Sequence, residues 1–357
     1  PRKRDLDDIV WPAWDLIPIE NYLERGFGFG VNRGRSMPVM ASRGCPYQCT
    51  YCFNHAYNAL TKGTGEMIRT RSVDSIINEI KEVQKNYFMD RVNIDDDIFL
   101  LKPKGWLEEF AEKFPKEIGL PLYCNIRPEL VNEKTGYLLK KIGCLRAAMG
   151  IECGNNEVAK KVLKRNTTNE KIVDAVRILK KNNVKIKIHN IIGLPVEDPL
   201  KVDFETLDFN IKLKPHVAGC SILYPYPGTE VSHLAKEMGM FDGNHEKVQI
   251  SNKSSSNMQF GSKKEQRMIN NFHKLFPIIV EWPFLRSSTN FLIKLPLSYL
   301  YTWIYFAFYG YKYIVQSSFK GIAKNIIHYM IFYFKYVSRL EKKVKFNTSP
   351  KNTNLNI

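Results

Sequence analysis

The sequence predicts an α/β protein, a partial (β/α)6 barrel followed by a basic, aromatic-rich helical extension. Three observations carry that expectation. Between residues 38 and 229, short apolar runs alternate with amphipathic helical stretches, six times over. Such alternation specifies a parallel sheet with helices outside, and right-handed connections roll it toward a barrel whose strand-to-helix loops share one rim. Polar and glycine-rich residues gather at those strand ends. Finally, the charge is unevenly placed: of the net +17, residues 246–357 carry +13, with 17 Lys and Arg against 4 Glu and no Asp. The basicity belongs to the tail and says little about chemistry upstream.

In chain order, residues 1–37 read as an extended lead-in in which Trp11, Trp14 and Leu16 pack on something else. Because the chain begins at Pro1, we expect a fragment or a processed product. Residues 38–243 form the barrel. Its first strand is Pro38–Ser42, and Ser72 caps a helix over Val73–Asn86, where Ile76, Ile77, Ile80 and Val83 recur at helical spacing. The later strands are 91–95, 122–127, 145–151, 184–192 and 217–223. Helices fall at 104–116, 132–142, 156–163, 169–182 and 202–213. Residues 244–263 read as a linker, 264–346 as the helical extension and 347–357 as a disordered end.

The chemistry centres on Ser42-Arg43-Gly44-Cys45-Pro46-Tyr47-Gln48-Cys49-Thr50-Tyr51-Cys52-Phe53-Asn54, directly after the first strand. Its spacing, C-x3-C-x2-C, lets three thiolates converge from one loop. A four-iron cluster normally takes four thiolates, so three suggest a cluster with one iron open to a substrate or cofactor. A zinc site is the bland rival, with His55 completing a Cys3His set. Structural cysteines or a disulfide are further alternatives. The other four cysteines (Cys124, Cys144, Cys153, Cys220) are scattered, which speaks for a reducing cytoplasm rather than a secreted disulfide framework.

The cysteine loop, with Tyr51 just before its last cysteine, resembles the signature of the radical S-adenosylmethionine (SAM) superfamily. The lead-in, the Gly-Leu-Pro-x-Glu turn at 193–197 and the Pro-x-Pro-Gly-Thr pattern at 225–229 resemble its cobalamin-associated subfamily. That resemblance implies a TIM-like radical SAM barrel with a [4Fe–4S] cluster on Cys45, Cys49 and Cys52. It implies SAM on the fourth iron and reductive cleavage to a 5'-deoxyadenosyl radical. Methyl transfer or other modification at an unactivated carbon would follow, as in methylases and in the anaerobic enzyme that closes the fifth ring of chlorophyll precursors. Among Asp95, Asp96 and Asp97, which end the second strand, Asp96 and Asp97 are candidates for the methionine amino group, with an ordinary turn as the alternative. Glu152 resembles the position meeting the ribose or methionine end, although Cys153 stands where relatives carry Ser. Arg165 is a candidate for the SAM carboxylate, and an exposed helix lead-in is its rival role. Gly193 and Pro195 would let an adenine ring lie against the strand edge, and Tyr224 would wall the site. Asn125 and Arg127 point to one side of the third strand, toward substrate or into an ion pair with an Asp; His189 reads as a satisfied interior histidine.

The resemblance also implies a reductant such as flavodoxin or ferredoxin, and a small-molecule or lipid-like substrate. It leaves cobalamin open, to be supplied by a domain absent from this chain, because no Asp-x-His-x-x-Gly segment occurs here. A cobalamin-independent enzyme of the coproporphyrinogen dehydrogenase type is the nearest alternative, and a zinc-stabilised basic binding module is the rival outside enzymes. In the extension, Leu295–Tyr311 is a run of 17 uncharged residues rich in Tyr. It suggests an interfacial helix on an anionic membrane, placing a cytoplasmic protein at the inner face, with packing on the barrel as the alternative. No compact nucleic-acid recognition module is visible.

Overall fold

The computed structural model describes residues 2–20, 23, 35–245 and 256–316, the last four without side chains. The chain divides into two units, Pro1–Gly28 with Arg33–Tyr305, and Phe29–Asn32 with Phe306–Ile357. The first is described below. Half of the expected linker (246–255), the extension beyond residue 316 and the 347–357 end lie outside the described residues.

Six parallel strands make the main sheet: β1 (Ser36–Val39), β4 (Arg91–Ile94), β5 (Leu122–Ile126), β6 (Cys144–Glu152), β7 (Lys185–Ile192) and β8 (Val217–Ile222). They lie side by side in sequence order, with no pairing of β8 back to β1 among the described residues, so the barrel stays open. Registers such as Ile94↔Cys124, Cys124↔Ala147 and Ala147↔Ile186 align one apolar set on the outer face. Helices cover that face. They are α2 (Val73–Asn86), α3 (Trp106–Glu117), α4 (Glu133–Ile142), α6 (Asn169–Lys181) and α7 (Pro199–Leu213). Ile76, Ile80, Phe110, Phe114, Leu139 and Leu179 are each fully buried there. Local chemistry sets the helix starts: the side chains of Ser72, Asn132, Thr168 and Asp198 each accept from a backbone N–H in the first turn.

Because side chains alternate along a strand, the same registers leave a different set on the inner face: Asn93, Asp95, Asn125, Ala148, Gly150, Lys187 and His189. This wall is polar and partly open, with Asn125 and His189 both exposed, so His189 is not the enclosed interior histidine expected from sequence.

Three elements were not anticipated. A small antiparallel ladder joins β2 (Ser42–Arg43) to β3 (Arg69–Thr70); helix α1 (Phe53–Leu60) lies between its strands in the chain and helix α8 (Glu230–Glu237) follows β8, with the short α5 (Asn156–Lys161) as expected. The expected extension also begins differently. Helix α9 (Lys263–Glu281) lies against β8 and α7 as part of the main unit. Cys220 and His273 exchange two contacts, Sγ to the His273 carbonyl at 3.5 Å and Nε2 to the Cys220 carbonyl at 3.1 Å. Phe272 meets Phe204 edge-on at 5.0 Å. Beyond lie α10 (Thr289–Leu292) and α11 (Ser298–Gln316). No described helix is long and apolar enough to cross a membrane.

Candidate active site

The cysteine loop leaves β2 at the carboxyl end of the sheet and is held by backbone. Gly44 has φ +99, and a Cβ there would collide with the Met67 carbonyl oxygen, so only glycine lets the chain turn here. Asn58 Nδ2 donates to the Cys45 carbonyl at 2.8 Å. Thr50 bonds across the mouth through its N–H to the Leu163 carbonyl (3.3 Å), its hydroxyl to the Val162 carbonyl (2.7 Å) and its carbonyl from the Val231 N–H (3.1 Å). Cys52 ends the loop as the N-cap of α1.

Cys45 and Cys49 are buried, Cys52 is half-buried, and all three are free thiols. Burial pushes Cys45 up to about 11 and raises Cys52 as well. A thiol in such a setting ionises on binding metal. Among the described residues no three His, Cys, Asp or Glu side chains are gathered closely enough for a single metal ion. The Cys3His zinc set is therefore not assembled, and His55 Nε2 instead stands 4.0 Å from Glu230. Cys52 lies near enough to Cys45 and Cys49 to interact electrostatically with both, and three such thiolates, each holding a different iron, are the donor set of an iron–sulfur cluster.

Two buried networks border the loop. In the first, the Tyr51 hydroxyl donates to Glu152 Oε1 at 3.1 Å and accepts from Arg165 Nη1 at 3.0 Å, while Arg165 Nη2 donates to the Gly150 carbonyl at 2.6 Å. Glu152 holds a left-handed backbone, φ +66, where β6 breaks register with β7. A residue other than glycine there is strained, and such strain collects at functional sites. Burial raises both the Glu152 carboxyl and the Tyr51 hydroxyl above their ordinary values. For Arg165 burial opposes the charge, but the neighbouring Tyr51 and Glu152 more than offset it. Arg165 is 4% exposed, which removes the exposed lead-in alternative.

The second network was only partly legible. Arg127 Nη1 donates to Cys49 Sγ at 3.5 Å, its guanidinium lies 3.6 Å from the centre of the Tyr47 ring, and it forks onto Glu129 at 2.5 and 3.3 Å. The Thr167 hydroxyl donates to the same carboxylate. Burial works to raise the Glu129 carboxyl, yet these bonds hold it below its ordinary value. The expected ion pair with an Asp is thus a pair with Glu129. The signal was Arg-x-Glu after an apolar strand.

Two predicted residues do other work. Asp96 is fully buried; it accepts from the Ala41 and Ser42 N–H groups at 2.7 and 2.9 Å, the Ser42 hydroxyl at 2.8 Å and Lys102 Nζ at 2.7 Å. Both oxygens are engaged, so Asp96 pins the β1–β2 corner that launches the cysteine loop rather than meeting a ligand. Asp97 is exposed and close enough to Cys45 and Cys52 to act on them electrostatically. Gly193 has φ +66 and its N–H donates to the Asp203 carboxylate at 3.0 Å, but a Cβ there would stand 2.6 Å from the Phe260 ring. The close approach that glycine permits is made by Phe260, not left for an adenine. Pro195 is buried beside it. Tyr224 is buried with its hydroxyl accepting from Asn257 at 3.1 Å.

Three thiols on a loop at the carboxyl mouth of an open parallel sheet, above a polar inner wall, are the donor set of an iron–sulfur centre. Residues 39–203 match the Radical SAM superfamily, and this region is a radical SAM domain. The chain is 29% identical over 235 residues to an uncharacterized methyltransferase of Pyrococcus horikoshii, covering 66% of this chain and 48% of that protein. It is 27% identical over 195 residues to the cytidylyl-2-hydroxyethylphosphonate methyltransferase of Streptomyces wedmorensis, covering 54% of this chain and 35% of that one. The chain thus spans less than half the length of these relatives. The fold matches that of OxsB, a cobalamin-dependent S-adenosylmethionine radical enzyme, with a TM-score of 0.53 at 14% identity, over 87% of this chain and 55% of that one.

Proposed function

We propose that the chain is the catalytic part of an enzyme that cleaves SAM reductively and modifies an unactivated carbon, with methyl transfer as the reaction its relatives' names favour. The observation that carries this is the thiol loop set at the carboxyl mouth of the sheet with two arginines beside it. When bound, the cluster supplies the electron that breaks a carbon–sulfur bond of SAM. Cys45, Cys49 and Cys52 would each hold one iron. Two carboxylates beside the loop are assigned to the ammonium group of SAM. Glu152 is held in place by Tyr51 and Arg165, and Asp97 is open to solvent at the rim. The Arg165 guanidinium and the Tyr51 hydroxyl would meet the carboxylate of SAM by exchanging bonds they now make to each other. Asn125 and His189, exposed on the inner wall, face the space left for substrate. The sequence has no Asp-x-His-x-x-Gly segment for cobalamin.

A reductant and a small-molecule substrate are required partners of this chemistry. Anaerobic reconstitution with iron and sulfide tests the reading. The full chain should take up about four irons, turn brown and release 5'-deoxyadenosine from SAM on adding dithionite. Cys49→Ala should abolish that release while keeping the circular dichroism of the folded barrel. A colourless protein holding one zinc would defeat the proposal.

A further inference from the structure

Arg127 is the one guanidinium that touches a thiol of the loop among the described hydrogen bonds, and everything around it fixes its position. It is 8% exposed, stacked on Tyr47 of the same loop and forked onto Glu129, which Thr167 holds from the far side. A planar fork gripped through two nitrogens on one edge and stacked on one face has little freedom left, so its remaining nitrogen is held toward Cys49 Sγ. From this geometry we infer that Arg127 is a positioning residue that sets the reduction potential of the metal centre through Cys49, with Glu129 as its built-in counterweight.

The inference rests on the cluster reading above. Its physics is electrostatic. Reduction adds one electron and no proton to the cluster, so the reduced form carries one more negative charge. A cation donating a hydrogen bond to a ligand sulfur favours that form, and the effect is strong where water is excluded. Glu129, whose carboxylate lies against the same guanidinium, opposes it. The pair therefore places a partly neutralised positive charge beside one of the three ligands, a way to tune the potential without exposing the thiol. Neither residue needs to contact SAM for this role.

The test is a redox titration of the anaerobically reconstituted full chain without SAM, poised with dithionite and mediators and read by electron paramagnetic resonance of the reduced cluster. Arg127→Met should make reduction at least tenfold less favourable, a fall of 59 mV for a one-electron couple. Arg127→Lys, which keeps the charge but not the fork, should recover part of that loss. Glu129→Gln should move the potential the other way, by about tenfold, because it removes the opposing charge and leaves the Arg127 contact in place. A merely structural pair would cost stability in both variants without shifting the potential in opposite directions. Should Arg127→Met fail to retain iron, Glu129→Gln still decides. Unchanged potentials, or a shift of the same sign in Arg127→Met and Glu129→Gln, overturn the inference. If the unmodified chain itself forms no cluster, it is the reading of the site that fails instead.

Discussion

Asp96 shows how a residue's type and position can be read correctly and its task still be missed. A run of three Asp at a strand end looked like a ligand for a cationic group, yet the middle one is sealed with Lys102, both side chains 0% exposed. Buried ions of opposite sign hold each other in place, and removing one leaves the other uncompensated. Asp96→Ala should therefore destabilise the fold by about 3–5 kcal/mol, read as the shift of a urea unfolding midpoint. Iron incorporation should suffer with it, since the Ala41 and Ser42 N–H groups lose their acceptor. Arg127 is the converse case. The sequence put it on the third strand, whereas it stands just past the end of that strand; its partners come from positions 47, 49 and 129, and a linear sequence does not say which of several carboxylates an arginine will reach.

Elements in the barrel were legible because each satisfies itself locally. The helix over 73–86 is found with the expected ends, and the strands agree to within a few residues, because apolar periodicity and side-chain caps decide these segments. Helix α1 and the β2–β3 ladder were not legible. The ladder is two residues long on each side, and its pairing partner lies 26 residues away, so no local pattern marks it. It nonetheless shapes the cysteine loop, because Gly44 leaves β2 directly against the Met67 carbonyl on the way to β3. Gly44→Ala forces a Cβ into that oxygen at a φ of +99. We expect the variant to keep its barrel helices by circular dichroism but to bind well under half the iron of the parent in a colorimetric assay. Full iron content in Gly44→Ala would show that the loop has freedom the contacts deny.

At the scale of the molecule, the sequence suggested a barrel complete at residue 243, a linker over 244–263 and a separate basic extension after it. Helix α9 belongs to the main unit, because the outer face of β8 has to be covered and α9 covers it. Phe272, Phe276 and Ile279 are fully buried in doing so. Ending the chain at residue 262 should uncover Ala218, Cys220 and Ile222 and remove the cooperative thermal transition, giving a broad unfolding curve and aggregation. A truncated chain that melts as sharply as the parent would restore the earlier boundary. The basic tail then begins as part of the scaffold, whatever its later residues do.

By itself the sequence determined the alternation that makes a parallel sheet, the rim on which its loops fall and the three thiols on that rim, all of which follow from patterns within a dozen residues. Only the tertiary structure decided which polar groups face a ligand and which brace the wall. Asp96 went to the backbone, Gly193 to Phe260, and Arg127 to Cys49 and Glu129. Those choices depend on side chains meeting across strands far apart in the chain, where burial forces every charge to find a partner, and the partner is whichever group the fold brings within reach.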